Sequence, residues 1–463
     1  MSETKDYFFC GIGGSGMLPL AMIVKARGAH VEGSDRALDQ GRTGAKFDYL
    51  KSLGIALHAQ DGSGVTRPSQ ILVASAAVEE TVPDVIAAKE AGAARASRAE
   101  LLAQLFNDSV RPIGVAGTSG KSTTTGMIGW ILHHAGKSPT VMNGAVMKNF
   151  VSPDALFASA VVGEGEAFVS EVDESDGSIA MFRPKVAVLN NIALDHKSMD
   201  ELRTLFGGFI GGAETAVLNL DNDETARLAT ARADGTITYS LIDGKADLFA
   251  QNIKPQPFGV SFDVIAINAR ASVSLKMPGQ HNVSNALAAI AAAGACGVTL
   301  QGAARALAEF EGVKRRLEYV GEANGVSIID DFGHNPDKIT ASLKTLHEFP
   351  GRLLVMFQPH GFGPLRLMKN EFIKTFANNL SADDVLLMPE PVYFGGTVDR
   401  SVSSKDIAAG VVAAGRKAEA LATRNECGAR LLKLVSPGDR IVVMGARDDT
   451  LSIFAMDLLK QIG

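Results

Sequence analysis

Only three cysteines occur in 463 residues, at positions 10, 296 and 427, and no two form a C-x-x-C pair. That number and spacing exclude a disulfide framework and a structural zinc site, and they point to a reducing cytoplasm. Aromatic residues make up 6% of the chain, tryptophan occurs once, and the net charge is −6 with no run of lysine or arginine. A nucleic-acid binder is therefore not expected, whereas small anionic ligands are. The start, MSETKDYFF, lacks the basic residues and long apolar core of a secretory signal. The most apolar stretch, Ala286 to Val298, is too short for a bilayer and reads as a buried helix, so no membrane insertion is expected. Short repeats and low-complexity segments are also missing. What remains is 46% hydrophobic and 21% charged, a globular mix long enough for about two to four domains with cores of their own.

Apolar runs and polar punctuation divide the chain into three α/β segments. In the first, residues 1–108, Tyr7 to Ile12 reads as a strand, GIGGSGM turns into an apolar helix from Leu18 to Ala26, and His30 to Glu32 makes a second strand ending at Gly33-Ser34-Asp35. Gln70 to Ala74 makes another, ending at Ser75. Strands alternating with helices predict a parallel, Rossmann-like sheet. Asn107, Asp108 and Ser109 form a polar break. The second segment, 109–318, carries strands at Pro112–Ala116, Phe168–Val172, Val186–Asn190 and Ala216–Leu218, then β-rich turns and short strands over 235–275. A helix follows, with Asn282 or Ser284 as its N-cap. The third, 319–463, carries strands at Val326–Ile329, Leu353–Gln358, Val385–Met388 and Ile441–Gly445, a second doubly wound, Rossmann-like pattern. The expected fold is thus α/β with three domains, the central one a P-loop-type ATPase domain with a mostly parallel sheet.

The most informative stretch is GVAGTSGKSTTT at 114–125. Strand, glycine loop and helix follow in the order that lets backbone N–H groups and a helix N-terminus hold phosphate. Lys121 is placed to reach the terminal phosphates and the Ser122 hydroxyl to hold Mg²⁺. The spacing departs from G-x-x-x-x-G-K-[ST], because Val115 stands where the first glycine belongs. The competing reading is an ordinary glycine-rich turn. Glu171 ends an apolar strand and leads the acidic run Glu171, Asp173, Glu174, Asp176; a carboxylate beside a phosphate loop suits Mg²⁺, and Asp173 and Asp176 read as solvated. His196 follows Asn190, Asn191 and Asp195 at the next strand end, as a ligand or as a structural histidine. Arg316 either clamps a γ-phosphate or is one of several surface cations. Asp331 either accepts from ribose or caps a helix. Gly11-x-Gly13-x-x-Gly16, with Asp35 ending the second strand, fits NAD or another diphosphate, and the second phosphate loop favours the latter.

Taken together and in order, GIGGSGM, GSD, GTSGKSTTT, EVDESD, NNIALDH, PGQHNVSNALAA, GVKRRLE, DDFGHNP and FQPH resemble the Mur ligase family almost end to end. DDFGHNP and FQPH lean toward its alanine-adding branch or a peptide-recycling relative, and the absence of lysine from LRTLFGGFIGGAE agrees. The resemblance implies a cytoplasmic, ADP-forming ligase of peptidoglycan synthesis, monomeric or homodimeric, using ATP and Mg²⁺. It would join L-alanine or a related amine, or a short peptide, to the lactyl carboxylate of a UDP-N-acetylmuramate-like sugar nucleotide through an acyl phosphate. It further implies ATP contacts from Gly117, Thr118, Ser119, Gly120, Lys121, Ser122, Thr123, Asn282, Arg316 and Asp331. Mg²⁺ would be held by Ser122 and Glu171 and a second ion by His196. Gly13, Ser15, Ser34, Asp35 and Ser75 would line the sugar-nucleotide site, and His360 and Arg366 the acceptor site.

Five departures stand out. Ser119 and Ser122 replace the family's His and Thr, the latter keeping its hydroxyl. Phe332 replaces Tyr, and Gly361 and Pro364 replace two arginines that would suit an amino-acid carboxylate. The ATP half is thus intact and the acceptor half altered. A P-loop kinase, an NAD oxidoreductase and a catalytically silent nucleotide-binding paralogue are the competing readings.

Overall fold

The computed structural model describes residues 4–76, 78–194, 197–232, 234–392, 399–446, 448 and 450–463. Its first sheet holds Asp6–Cys10, His30–Ser34, Ala56–His58, Gln70–Ala74 and Ala94–Ser97, all parallel, in the spatial order 3-2-1-4-5. The chain leaves the first strand to one side and returns on the other. That switch opens a crevice at the C-terminal strand ends, where the Gly11–Gly16 loop and Ser75 lie. Helix Met17–Ala26 follows the loop because its apolar residues are nearly continuous and all but Met22, Lys25 and Ala26 are buried.

The second sheet has ten strands. Arg111–Ala116 lies inside it, parallel to Ala167–Glu171 on one side and Val186–Leu189 on the other. Every residue of these three strands except Arg111 and Glu171, at opposite ends, is buried. This is why they read as continuous apolar runs. Helix Lys121–His134 begins five residues before the expected Gly126. Ser122, Thr123, Thr124 and Thr125 are weak helix formers, but all are buried in the helix's first turns, where packing overrides propensity. The expected short strands over 235–275 are in fact Thr236–Ser240, Leu248–Gln256, Gly259–Ala266 and Ala269–Leu275, nine residues at the longest. Their polar residues are the solvent faces of half-buried strands, seen most clearly in the alternation of Ala269–Leu275. The next helix, Gln280–Ala295, starts ahead of Asn282 and Ser284, so neither is its N-cap.

These two sheets share one core. Phe9, Ile12, Leu18, Leu102 and Phe106 of the first belong to the same apolar cluster as Phe168, Val172, Ile179 and Phe206 of the second. They form a single compact unit, made of residues up to Ile253, Ser261–Lys276 and Asn282–Val313.

The other unit comprises Lys254–Val260, Met277–His281 and Lys314–Gly463, and so resumes at the Lys314-Arg315-Arg316 cluster. Its sheet orders Glu318–Ala323, Val326–Asp331, Arg440–Gly445, Leu353–Gln358, Val385–Pro389 and Lys417–Leu421. Only the first of these pairs antiparallel. The last strand in sequence is inserted between Val326–Asp331 and Leu353–Gln358, and separate apolar clusters cover the sheet's two faces. The three-domain α/β architecture with mostly parallel sheets is the expected one. Among the described residues no helix is long and apolar enough to cross a membrane.

Candidate active site

The phosphate loop is closed by contacts that leave room only for glycine. Gly117 has φ +128° and Gly120 φ +84°. A Cβ on Gly120 would lie 2.4 Å from Asn285 Oδ1 and 2.7 Å from Asn190 Nδ2. The Asn190-Asn191 pair holds the loop from the neighbouring strand end. Asn191 Oδ1 accepts from the Ser119 N–H at 2.9 Å, its backbone oxygen accepts from the Thr118 N–H at 3.1 Å, and Asn190 Nδ2 donates to Thr124 Oγ1 at 3.0 Å. Asn285 accepts from Thr124 at 3.3 Å and donates to Asn282 Oδ1 at 3.2 Å. Thus Asn282 reaches the loop through Asn285, and Thr123 is buried behind it.

Lys121 and Ser122 open the helix beside two acids. Lys121 Nζ donates to the Gly117 carbonyl at 2.7 Å and to Glu174 Oε2 at 3.0 Å. Ser122 Oγ donates to Glu171 Oε2 at 3.1 Å, and the other Glu171 oxygen accepts from the Gly144 N–H. Burial acts to raise the Asp173 carboxyl, but the charge of Lys121, hydrogen bonds from Ser175 and the charge of Arg98 outweigh it and hold it below the usual carboxylate range.

Some of these groups face a cavity of about 440 Å³. Lys121, Glu171, Asp173 and Gly144 line one part, Gly11, Gly14, Ser15, Gly16 and Ser75 another, with Arg98 between them. The Gly11–Gly16 loop and Lys121, the residue that follows the second glycine loop, therefore reach one space although they are far apart in sequence. Ser15 and Ser75 stand in its wall. The other sugar-site candidates have internal duties. Asp35 accepts from the Gly13 N–H at 2.8 Å and caps the next short helix through the Ala37 N–H at 2.7 Å. Ser34 is fully buried and donates to Asp84, which also accepts from the Gly62 N–H at 3.0 Å. Cys10, beside this group, has its thiol pushed up to about 12 by burial and by Asp84.

His196 lies outside the described residues. In the unit that resumes at Lys314, Arg315 is buried, donating to Asp330 Oδ1 at 3.2 Å and to the Gly445 carbonyl at 2.6 Å. Arg316 instead stacks over the Phe332 ring at 4.7 Å. Asp331 is buried and accepts from Leu317 N, Gly333 N and Ser342 Oγ at 3.0, 3.1 and 2.7 Å. His360 packs edge-on against His334, whose pKa burial and nearby cations push down to about 3. Arg366 is half-exposed and paired with Asp399.

Four participants went unnoticed in the sequence. Glu174 sat in an acidic run in which only Glu171 was given a role, yet it is buried. Asn285 follows Asn282 by three residues on one helix face, a signal that was available. Arg98 is 82 residues from the glycine loop it abuts, and no local pattern marks it. Arg400 lies over Phe362 at 5.4 Å, bringing a second guanidinium to the altered acceptor segment.

Three family models match in order: Mur ligase family, catalytic domain, over 6–109; Mur ligase middle domain over 115–293; and Mur ligase, glutamate ligase domain, over 315–447. A UDP-N-acetylmuramate–L-alanine ligase from Streptomyces coelicolor is 35% identical over 455 residues, spanning 96% of this chain and 95% of its own. The solved UDP-N-acetylmuramate–alanine ligase of Thermotoga maritima matches with a TM-score of 0.79 at 25% identity over 98% of each chain. The murein peptide ligase of Psychrobacter arcticus matches at 0.71, also 25% identical, over 99% of each. With three family domains in sequence order and a relative this similar along nearly its whole length, the chain belongs to the Mur ligase family and is an ATP-dependent ligase.

Proposed function

We propose that this chain joins L-alanine or a closely related amine to the lactyl carboxylate of UDP-N-acetylmuramate, at the cost of ATP, in peptidoglycan synthesis. The observation that carries this reading is the shared cavity: the diphosphate-type Gly11–Gly16 loop, Lys121 at the end of the phosphate loop and Glu171 face the same 440 Å³ space. A sugar nucleotide held by Ser15 and Ser75, with Gly13, Ser34 and Asp35 shaping the loop from behind, would present its carboxylate to a nucleotide held by Gly117–Thr123. Asn282 would contact adenine, Asp331 the ribose and Arg316 the phosphates.

Mg²⁺ suits the donors present, because Ser122 Oγ and a Glu171 oxygen are hard ligands 3.1 Å apart at the phosphate loop. His196 would serve a second ion. When bound, Mg²⁺ offsets the charge of phosphates and carboxylate that must approach one another. Lys121 does the same from the loop, while the apolar wall of Met142, Leu102 and Phe182 keeps water from the reacting carbonyl. The carboxylate oxygen attacks the γ-phosphorus and ADP leaves. The amine nitrogen then attacks the acyl carbon, the bond to the phosphate oxygen breaks, and the amine proton passes to solvent. No covalent enzyme nucleophile is needed.

Phosphate release with UDP-N-acetylmuramate, MgATP and a panel of amino acids and short peptides tests this reading. Turnover that requires both the sugar nucleotide and L-alanine is expected, and turnover with no member of the panel would sink it. A peptide or another amine is the second reading. It is favoured by Gly361 and Pro364 in place of arginines and by the pairing of Arg366 with Asp399, and preference for such an acceptor would select it.

A further inference from the structure

Lys121 carries three N–H donors. Two are committed, one to the Gly117 carbonyl and one to Glu174, at 2.7 and 3.0 Å. Among the described residues the third has no protein partner. An ammonium held at two points cannot swing through the rotamers open to a free lysine, so its remaining donor has one direction. Glu174 is itself fixed. Its side chain is only 8% exposed, and it lies three residues past Glu171, in the segment that carries both the Ser122 partner and Asp173. Lys121 is 18% exposed, so the pair is largely desolvated, and removal of either partner leaves the other's charge poorly compensated.

We propose that Glu174 is a positioning residue of the ligase reaction, acting through Lys121. It anchors the ammonium against the Gly117 carbonyl so that the third donor meets the terminal phosphates as they rearrange. This rests on the ATP-dependent reading of the phosphate loop. The carboxylate's own charge opposes that of the nucleotide, so it does not serve affinity. Its contribution lies in orientation, which is felt in the transition state.

Glu174→Gln keeps the volume and one acceptor but removes the charge. The expected result is a kcat lowered roughly 30-fold to 100-fold, the scale of a small misplacement, with the KM for ATP unchanged or lower. Glu174→Ala should fall further, so that Gln is a partial rescue. In a Lys121→Met background, Glu174→Gln should cost nothing more. Equal losses in both backgrounds would mean that Glu174 only supports the fold. A raised KM at full kcat would mean that it serves binding. Either overturns the proposal, and thermal melts of each variant identify any that fail to fold. Calorimetric titration with MgATP needs no turnover: binding by Glu174→Gln at or above wild-type strength agrees, and binding tenfold weaker refutes. A wild-type protein that binds MgATP but forms no product would instead overturn the proposed acceptor chemistry.

Discussion

Two loops in this molecule have the same local design. Gly11–Gly16 and Gly117–Gly120 each follow a buried parallel strand, bend through a left-handed glycine, and enter a helix packed on the sheet. Their surroundings differ. Around Gly120 stand a lysine and a serine of its own helix, with two glutamates and three asparagines drawn from three other segments. Around Gly11, Ser15, Ser75 and Arg98 face the cavity, but the other polar groups turn inward: Asp35 holds Gly13, Asp84 holds Ser34, and Cys10 is buried. A glycine loop between strand and helix is therefore only a holder for phosphate. The side chains that neighbouring strand ends bring to it decide whether anything can react there.

Lys121→Ala should break this contrast most sharply, lowering turnover on the order of 10³-fold in a phosphate-release assay, as expected for loss of a preorganised charge. A variant within tenfold of wild type would mean that the two loops do not differ in chemistry. Alanine substitution compares them directly. At Gly11, φ is +78° and the space beyond is open, so Gly11→Ala should cost about 1 kcal/mol in denaturant unfolding. At Gly120 the added carbon also meets Asn285 and Asn190, so Gly120→Ala should cost about 3 kcal/mol. Equal costs would remove the steric distinction.

Asp84→Ala should destabilise by about 2 kcal/mol in the same measurement, because the Ser34 hydroxyl and the Gly62 N–H lose their acceptor. A neutral result would show that the inward polar group is dispensable. The smallest effect concerns Cys10. With its thiol pushed up to about 12, alkylation at pH 8.5 should be at least ~10²-fold slower in folded than in denatured protein. The linked stability has a definite sign. Above about pH 8.5 the unfolded thiol ionises while the folded one keeps its proton, so Cys10 makes folding progressively less favourable from there toward pH 12. Cys10→Ala should flatten that part of the profile.

Strands buried on both faces were legible. Gln70–Ala74 and Leu353–Gln358 have the expected ends, since a run that must exclude water on each side contains little but apolar residues. Edge strands such as Ala94–Ser97 and Lys417–Leu421 were not read, because they contain no buried residue and resemble loops. In the site, Lys121, Ser122 and Glu171 were legible because backbone order alone gathers them at adjacent strand ends. Ser34 was read as a ligand-facing residue, yet it points into the protein, since its partner Asp84 is 50 residues away. Glu174 was hidden for the opposite reason. Among four acids in six residues, only three-dimensional packing distinguishes the one that is buried.

The apolar cluster running from Phe9 to Phe206 has a consequence for how this chain can be divided. A fragment ending near residue 108 would look self-contained, with a complete five-stranded sheet, yet Leu102 and Phe106 would lose Phe168, Val172 and Phe182 as cover. The fragment would carry a bare greasy face and clump rather than stay dissolved. The floor of the 440 Å³ cavity therefore melts as one piece, and a substitution that loosens either glycine loop's sheet is felt at the other.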